Sequence, residues 1–409
     1  MTRMRVLCQE RELRGMSCSK LYSTVACQPY LRPIRSDGGR WPQSMQIVHR
    51  LQNLTTLAGE VAHHVLNSCD AERHKRLTTM RTLYLLRSHG RASLSGELVV
   101  VHEGEQELQR VPLPLLDQIL VMGNVQITTP LIEACLRRQV PIAFLTESGW
   151  CHGRLQPLAR DYRHRPRHQL ALGIGERLQA GRQLVVGKIC NGRVLLLRLT
   201  RRDRRESVQG SIDKLDHYQQ QASRCLEEEA LRGLEGQAAS EYFQALGSLM
   251  ADDGFGFTGR HRRPPTTPFD ALASFGYSVL WNAMYAYVEL QGLDPYEGVL
   301  HHGSARHAAL VSDLIEPLRT LLVDAFNCWR IRTKRVLADR DMEHSDGGVR
   351  LTDEARRQWL KDWSHYMAED ISLTLEDHGP RWALLEQLVR SFVQFVYDPS
   401  SGLIIPKRR

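Results

Sequence analysis

Four residues carry the side chains best suited to chemistry in this 409-residue chain: Glu235, His301, Asp313 and Glu316. Glu235 lies in Gly233-Leu234-Glu235-Gly236-Gln237-Ala238-Ala239, where small neighbours let another helix or a phosphate backbone come close to the acid. His301 ends the segment Gly292-Leu293-Asp294-Pro295-Tyr296-Glu297-Gly298-Val299-Leu300-His301-His302. Asp-Pro between two glycines makes a tight turn, which can aim an imidazole at a fixed point. Asp313 and Glu316, three residues apart, share one face of a helix. One histidine with carboxylates from separate segments is a mixed N/O donor set. It suits Mn²⁺ or Mg²⁺ and is incomplete as a structural zinc site. Taken singly, each residue also has a plainer reading: Glu235 at a capped helix start, His301 as a satisfied histidine, Asp313 and Glu316 on a solvated face.

A second type of chemistry is written in Gly259-Arg260-His261-Arg262-Arg263-Pro264-Pro265. Guanidinium groups bind phosphate bidentately, so Arg260, Arg262 and Arg263 beside a Pro-fixed turn make a phosphate clamp or, more plainly, a solvated charge run. Arg319 joins them as a candidate phosphate contact. The apolar and aromatic residues from Phe269 to Tyr287 recur at helical spacing and read as core.

These residues need elements to position them. Residues 1–79 are rich in Arg, Ser and Gln, hold one candidate helix (about 46–69) and contain no chemistry. They read as an extension of unknown structure, a mistaken upstream start or a fusion remnant rather than a transit peptide. From Thr82 the chain reads as short strands at 82–87, 97–102, 109–112, 118–122, 141–146 and 151–156, with a helix at about 130–138 opened by Thr128 or Thr129 and Pro130. Leu98–Val101 and Ile119–Val121 are apolar enough to be buried on both faces, which predicts a small sandwich or barrel-like β domain. After a basic hinge (Arg160, Arg163, Arg165, Pro166, Arg167) the helical period takes over, with helices at 169–201, 208–230, 235–250, 268–290, 307–327, 352–375 and 380–396. The expected fold class is α+β with two domains: a small β-rich N-terminal domain (80–160) and a larger all-α domain (161–400). Gly173-Ile174-Gly175 has no βαβ unit around it and is not a dinucleotide loop.

Composition narrows the partners. Fifty-four Lys and Arg against 46 acids give a net charge of +8, which favours an anionic partner. No stretch reaches the roughly 18 apolar residues that a membrane span needs, and no apolar signal-peptide core opens the chain, so a cytoplasmic protein without membrane contact is expected. Nine cysteines without a C-x-x-C pair argue against a zinc ribbon, an iron–sulfur cluster or a disulfide framework.

In order along the chain, G-x-E-G-x-A-A-x-x-Y-F at Gly233–Phe243, R-R-P-P at Arg262–Pro265, A-L-x-S-F-G-Y at Ala271–Tyr277, G-L-D-P-Y-x-G-x-L-H at Gly292–His301 and D-L-x-E-P at Asp313–Pro317 resemble the CRISPR-associated Cas-one family, the integrase of CRISPR adaptation. Gly187–Arg193 is a further family-like segment. The resemblance spans about Met80 to Tyr397. It implies a β-rich N-terminal domain, a helical catalytic domain, and a homodimer that assembles with the smaller Cas-two protein on double-stranded DNA. It also implies that Glu235, His301 and Glu316 are the ligands of a Mg²⁺ or Mn²⁺ ion, with Asp313 behind them or as an alternate ligand. His302 duplicates the histidine, and the register Gly298-x-Leu300-His301 favours His301. Asp270 stands where the family usually has Asn, and Leu318-Arg319-Thr320 departs from the usual Phe-Arg-Pro.

The expected reaction is attack of a protospacer 3′-hydroxyl on a phosphodiester at the repeat boundary. Two other readings use the same residues: a general metal-dependent nuclease unrelated to adaptation, and a catalytically inert DNA-binding scaffold.

Overall fold

A strand buried on both faces must be flanked by two cores, and Gln118–Met122 meets that condition. In the computed structural model, which describes residues 82–86, 90–146, 149, 151–157, 164–201, 205–261, 264–301, 307–345, 347–372 and 378–407, its side chains alternate between two apolar clusters. Ile119 and Val121 enter one with Val99, Leu131 and Ile142. Leu120 and Met122 enter the other, which is built mainly from helices. The expected helix at 46–69 and the rest of residues 1–79 lie outside the described residues.

The β-rich part contains β1 (Thr82–Leu85), β2 (Gly90–Ser95), β3 (Leu98–Glu103), β4 (Gln106–Pro112), β5 (Gln118–Met122), β6 (Gln126–Ile127), α1 (Thr129–Arg137), β7 (Ile142–Leu145) and β8 (Cys151–Leu155). One sheet has the order β1-β5-β7-β8, with the β1–β5 and β5–β7 pairs parallel. The other has the order β4-β3-β2-β6. Parallel pairing in the first sheet follows from burial of both faces and from the crossover through α1 between β5 and β7. The sequence left β2 unassigned, because Gly90-Arg91-Ala92-Ser93-Leu94-Ser95 has only Ala92 and Leu94 to alternate. Pairing with β3, from Gly90 opposite Glu103 to Ser95 opposite Leu98, makes it a strand.

The helical part contains α2 (His164–Leu170), α3 (Ile174–Leu199), α4 (Arg205–Arg224), α5 (Glu228–Leu249), α6 (Pro268–Leu290), α7 (Ala309–Leu318), a π-helical segment (Arg319–Asp324), α8 (Ala325–Arg332), α9 (Asp353–Ala368) and α10 (Ala383–Tyr397). The expected single helix over 169–201 is two, broken before Gly173, whose N–H donates to Glu176 Oε2 at 2.7 Å. Of the expected hinge, Arg165, Pro166 and Arg167 lie in α2, and Arg160 and Arg163 fall outside the described residues. Nor is this part all-α. Two hairpins interrupt it, β9 (Met342–Ser345) with β10 (Gly348–Leu351), and β11 (Asp370–Ser372) with β12 (His378–Pro380). Glu369 turns extended into β11, so the predicted helix at 352–375 ends at Ala368, and Gly379-Pro380 opposes helix, so the one at 380–396 begins at Ala383.

One cap and one break in the helical ladder shape the helices that matter for the site. Thr267 Oγ1 accepts from Asp270 N at 3.1 Å at the start of α6, next to Pro268 in the first turn. The π-helical segment follows Pro317, which cannot donate to the helical ladder, and such insertions recur at functional sites.

Candidate active site

Glu235 projects from α5 and Glu316 from α7, and both meet Lys188 of α3. Lys188 Nζ pairs with Glu235 Oε1 and stands 2.7 Å from Glu316 Oε2. Arg319, one turn after Glu316, holds the other carboxylate oxygen at 2.7 Å. Burial alone would push the Glu316 carboxyl up, but Arg319 and Lys188 outweigh it and hold the group at about 2. Glu316 is therefore ionised although only 3% exposed. Its Oε2, close to the ammonium, has no hydrogen bond of acceptable alignment and is a buried acceptor with spare capacity.

His301 reaches the same neighbourhood from the turn 292–301. Asp313, fully buried, grips that turn: its Oδ2 accepts from the N–H groups of Val299 (2.7 Å) and Leu300 (3.0 Å), and its Oδ1 accepts from His301 N (3.0 Å). The same Oδ1 lies 2.5 Å from His301 Nδ1, which leaves Nε2 as the nitrogen not tied to Asp313. This hydrogen bond raises the imidazole above its ordinary pKa against the effect of burial, with smaller contributions from the charges of Asp313, Glu316 and Glu235. The close grip requires Gly298, where a Cβ would stand 2.5 Å from the His301 carbonyl oxygen and 2.8 Å from Asp313 Oδ2. Three further side chains pin the turn from outside. Gln169 donates to the carbonyls of Asp294 and Glu297 (2.9 and 2.8 Å), Arg177 to that of Gly298 (2.9 Å), and Arg232 to that of Leu300 (3.2 Å).

The four acid and imidazole residues singled out in the sequence thus occupy one neighbourhood, in two linked pairs. They do not form a closed cage as placed. Among the described residues no three His, Cys, Asp or Glu side chains close on one point, which departs from the convergence expected of Glu235, His301 and Glu316. The reason is visible in the contacts: the Lys188 ammonium fills the space between the carboxylates, and Asp313 holds one side of the imidazole. Donor chemistry still fits a hard divalent ion. Two carboxylates, one of them ionised with a spare buried oxygen, and an oriented imidazole are the ligand types such ions take.

The basic turn is placed differently from its sequence reading. Arg260 does not stand free for a phosphate: its side chain is 7% exposed and its Nη1 lies 2.5 Å from Oδ1 of the fully buried Asp270. Its guanidinium also lies over the rings of Phe243 and Tyr277, 5.7 and 5.6 Å from their centroids. Arg262, Arg263 and His302 lie outside the described residues. Arg319 is committed to Glu316 and lies over Tyr277 at 5.1 Å. A groove of about 1020 Å³ runs past this end, lined among others by Arg260, Tyr277, Trp281, Arg319, Arg350 and Arg356.

Sequence reasoning missed Lys188 as part of the site, and Asp324 behind it. Asp324, in the π-helical segment and fully buried, accepts from Tyr277 (2.6 Å) and Tyr242 (2.9 Å). Burial pushes its carboxyl up to about 6 against both hydrogen bonds and the charges of Arg260 and Arg319. Lys188 could have been found from Gly187–Arg193, which was noted only as family-like. Asp324 gave no signal, because its partners Tyr242 and Tyr277 lie 82 and 47 residues away along the chain.

A two-sheet β-rich region is thus followed by helices that gather two acids near an oriented histidine. The profile of the family described as CRISPR associated protein Cas1 matches residues 83–365, and the chain belongs to that family. A relative from Thermus thermophilus, a CRISPR-associated endonuclease Cas1, is 33% identical over 307 residues, covering 75% of this chain and 92% of the relative. A CRISPR-associated exonuclease Cas4/endonuclease Cas1 fusion from Geobacter sulfurreducens is 32% identical over 291 residues, covering 68% of this chain, which spans about half (51%) of the fusion. Among solved structures, a CAS1 protein from Thermotoga maritima superposes with a TM-score of 0.67 at 23% identity, covering 78% of this chain and 97% of that one. A casposase bound to integration product superposes with a TM-score of 0.67 at 17% identity, covering 80% and 93%. Both share the fold. No described helix is long and apolar enough to cross a membrane.

Proposed function

We propose that this chain is a divalent-metal-dependent DNA endonuclease and integrase that inserts DNA fragments into a CRISPR array by 3′-hydroxyl attack on a phosphodiester. The observation that carries the reading is the pairing of Glu235 and Glu316 at Lys188, with the Asp313-oriented His301 near enough to feel both their charges, inside a chain of the Cas1 family. Endonuclease activity is named for its relatives, and the casposase of the same fold was captured on an integration product.

In this reading Glu235, Glu316 and His301 Nε2 hold Mg²⁺ or Mn²⁺. Such an ion lowers the pKa of an attacking hydroxyl and offsets negative charge gathering on the phosphate. Asp313 keeps the imidazole in the orientation and tautomer that a ligand needs, and Arg319 keeps Glu316 ionised in a buried place. The 3′-oxygen forms a new P–O bond while the bond to the leaving oxygen of the repeat strand breaks in line, so the number of phosphodiesters is unchanged. With water as nucleophile the same site hydrolyses.

The working unit is a homodimer with the Cas2 protein on double-stranded DNA, and Arg262 and Arg263 contact phosphates, with Arg260 and Arg319 bracing the groove wall. Because such contacts are made to phosphate, binding weakens steeply with salt. The test is a strand-transfer assay with Mn²⁺, comparing a 3′-hydroxyl fragment with a 3′-blocked one. Joined product from the free hydroxyl alone supports integration. Equal cleavage from both substrates makes the chain a general nuclease, and wild type matching E235A makes it an inert DNA-binding scaffold.

A further inference from the structure

We propose that Lys188 is a built-in counter-ion: its ammonium holds the place of the divalent ion between Glu235 and Glu316, and the ion must displace it to bind. The inference rests on the metal reading above and concerns how the site passes between its two states.

The placement of Lys188 is enforced by the fold. Gly187, its neighbour on α3, packs so closely on the C-terminal segment that a Cβ there would stand 2.4 Å from Ile405 Cγ2, and it would touch Pro317 Cβ of α7 at 3.4 Å. Asn191, less than one turn further, donates to the carbonyls of Pro317 (2.8 Å) and Pro406 (3.0 Å). α3 is therefore locked against the residue that follows Glu316, and Lys188 is carried to the two acids. The three side chains are 14%, 19% and 4% exposed, for Lys188, Glu235 and Glu316 in turn. At that burial two facing carboxylates without a cation would repel strongly, and leaving them unpaired is more costly than the pair is worth.

The pairing is nonetheless built to be exchanged. Lys188 Nζ reaches Glu316 Oε2 at 2.7 Å in a contact of poor hydrogen-bond alignment, a weaker hold than an aligned charge-assisted bond. Arg319 holds the other oxygen of Glu316, on the side away from Lys188. A cavity of about 30 Å³, lined by Lys188, Glu235, Tyr242 and Tyr277 among others, opens beside the ammonium and gives the side chain room to turn away. Exchange of a singly charged ammonium for a doubly charged ion leaves surplus positive charge where a phosphodiester brings a negative one. Without DNA the site is balanced by its own lysine.

Competition of this kind makes a definite prediction for binding, separate from turnover. In full-length protein, K188Q binds Mn²⁺ at least about tenfold more tightly than wild type in a calorimetric titration, because nothing has to be displaced and Glu235 has lost its cation. Without metal K188Q melts several degrees below wild type, and saturating Mn²⁺ closes the gap. In the wild-type protein itself, an amine-acylating reagent read by peptide mass spectrometry labels Lys188 slowly without metal and faster with Mn²⁺. Should wild type bind Mn²⁺ and K188Q bind equally or more weakly, with Lys188 labelling unchanged by metal, the counter-ion role is overturned while the metal reading stands. Binding by neither protein removes both. If K188Q does not fold without metal, the labelling of wild type decides alone.

Discussion

Glu316 and Asp324 are buried acids on one continuous helical run, and the protein treats them in opposite ways. Glu316 faces two cations and is held ionised at about 2. Asp324, beyond the α-to-π junction, is given two tyrosine hydroxyls and, among the described residues, no directly bonded cation, and burial raises it to about 6. The first is kept charged at the cost of desolvation, as a group that must ligate a cation requires. The second is kept easier to protonate than an ordinary carboxyl, as a strut that holds the Tyr242 hydroxyl and aligns Tyr277 beneath Arg260 and Arg319. Burial depth alone therefore does not separate chemistry from architecture in this chain. The partners do.

The largest effect that could break this contrast is on catalysis. E316Q, like E235Q, removes a charged ligand and lowers strand transfer by about 10²–10³-fold, the several kcal/mol of charge stabilisation that a bound ion supplies. D324N should leave transfer within about tenfold of wild type in the same gel assay, and equal loss in both would erase the distinction. Next comes D313N, which frees the His301 ring and should weaken Mn²⁺ binding or transfer by about 10–100-fold. Urea melts of D313N should also show a loss of about 1–3 kcal/mol, since a buried acceptor of three backbone N–H groups is altered.

Stability against pH sharpens the contrast, because the two acids carry opposite signs. The Asp324 carboxyl sits above its ordinary range in the folded protein, so its contribution is fully present below about pH 4 and is lost as pH rises through about 6. Relative to wild type, D324N should therefore gain up to about 3 kcal/mol between pH 4 and pH 7.5 in denaturant titrations. Glu316 sits below its ordinary range, so its contribution is present at neutral pH and lost as pH falls toward about 2. E316Q should cost stability at pH 7 and cost less as the solution is acidified. Parallel curves for the two variants would show that their surroundings do not differ as described. The smallest expected effect is that of G298A, about 1–3 kcal/mol from overpacking against Asp313, read as a lowered midpoint.

The residues that announced themselves in the sequence are those whose role is local. His301 was legible because Gly, Asp-Pro and Gly crowd into the turn before it, and Asp313 with Glu316 because three residues separate them on a helix. The strand β5 was legible because four apolar residues in a row leave little choice. What escaped depends on partners far along the chain. Arg260 read as an exposed clamp because its partner Asp270 belongs to the next helix and is buried only once α6 packs. Lys188 is one of few lysines, with nothing beside it to mark two acids 47 and 128 residues away. The hairpins β9–β10 and β11–β12 escaped because their strands are three or four residues long, too short to interrupt a helical period with a period of their own.

The alternation of β5 has a practical corollary for anyone dissecting this chain. Leu120 and Met122, with Ala143 and Leu145 of β7, roof the same apolar mass as the helices, while their neighbours Ile119, Val121 and Ile142 look the other way. A truncated product starting after Leu155 would lose that roof and present a greasy strip to solvent. Such a fragment should precipitate or recruit chaperones, whereas one that begins ahead of β1 should stay in solution.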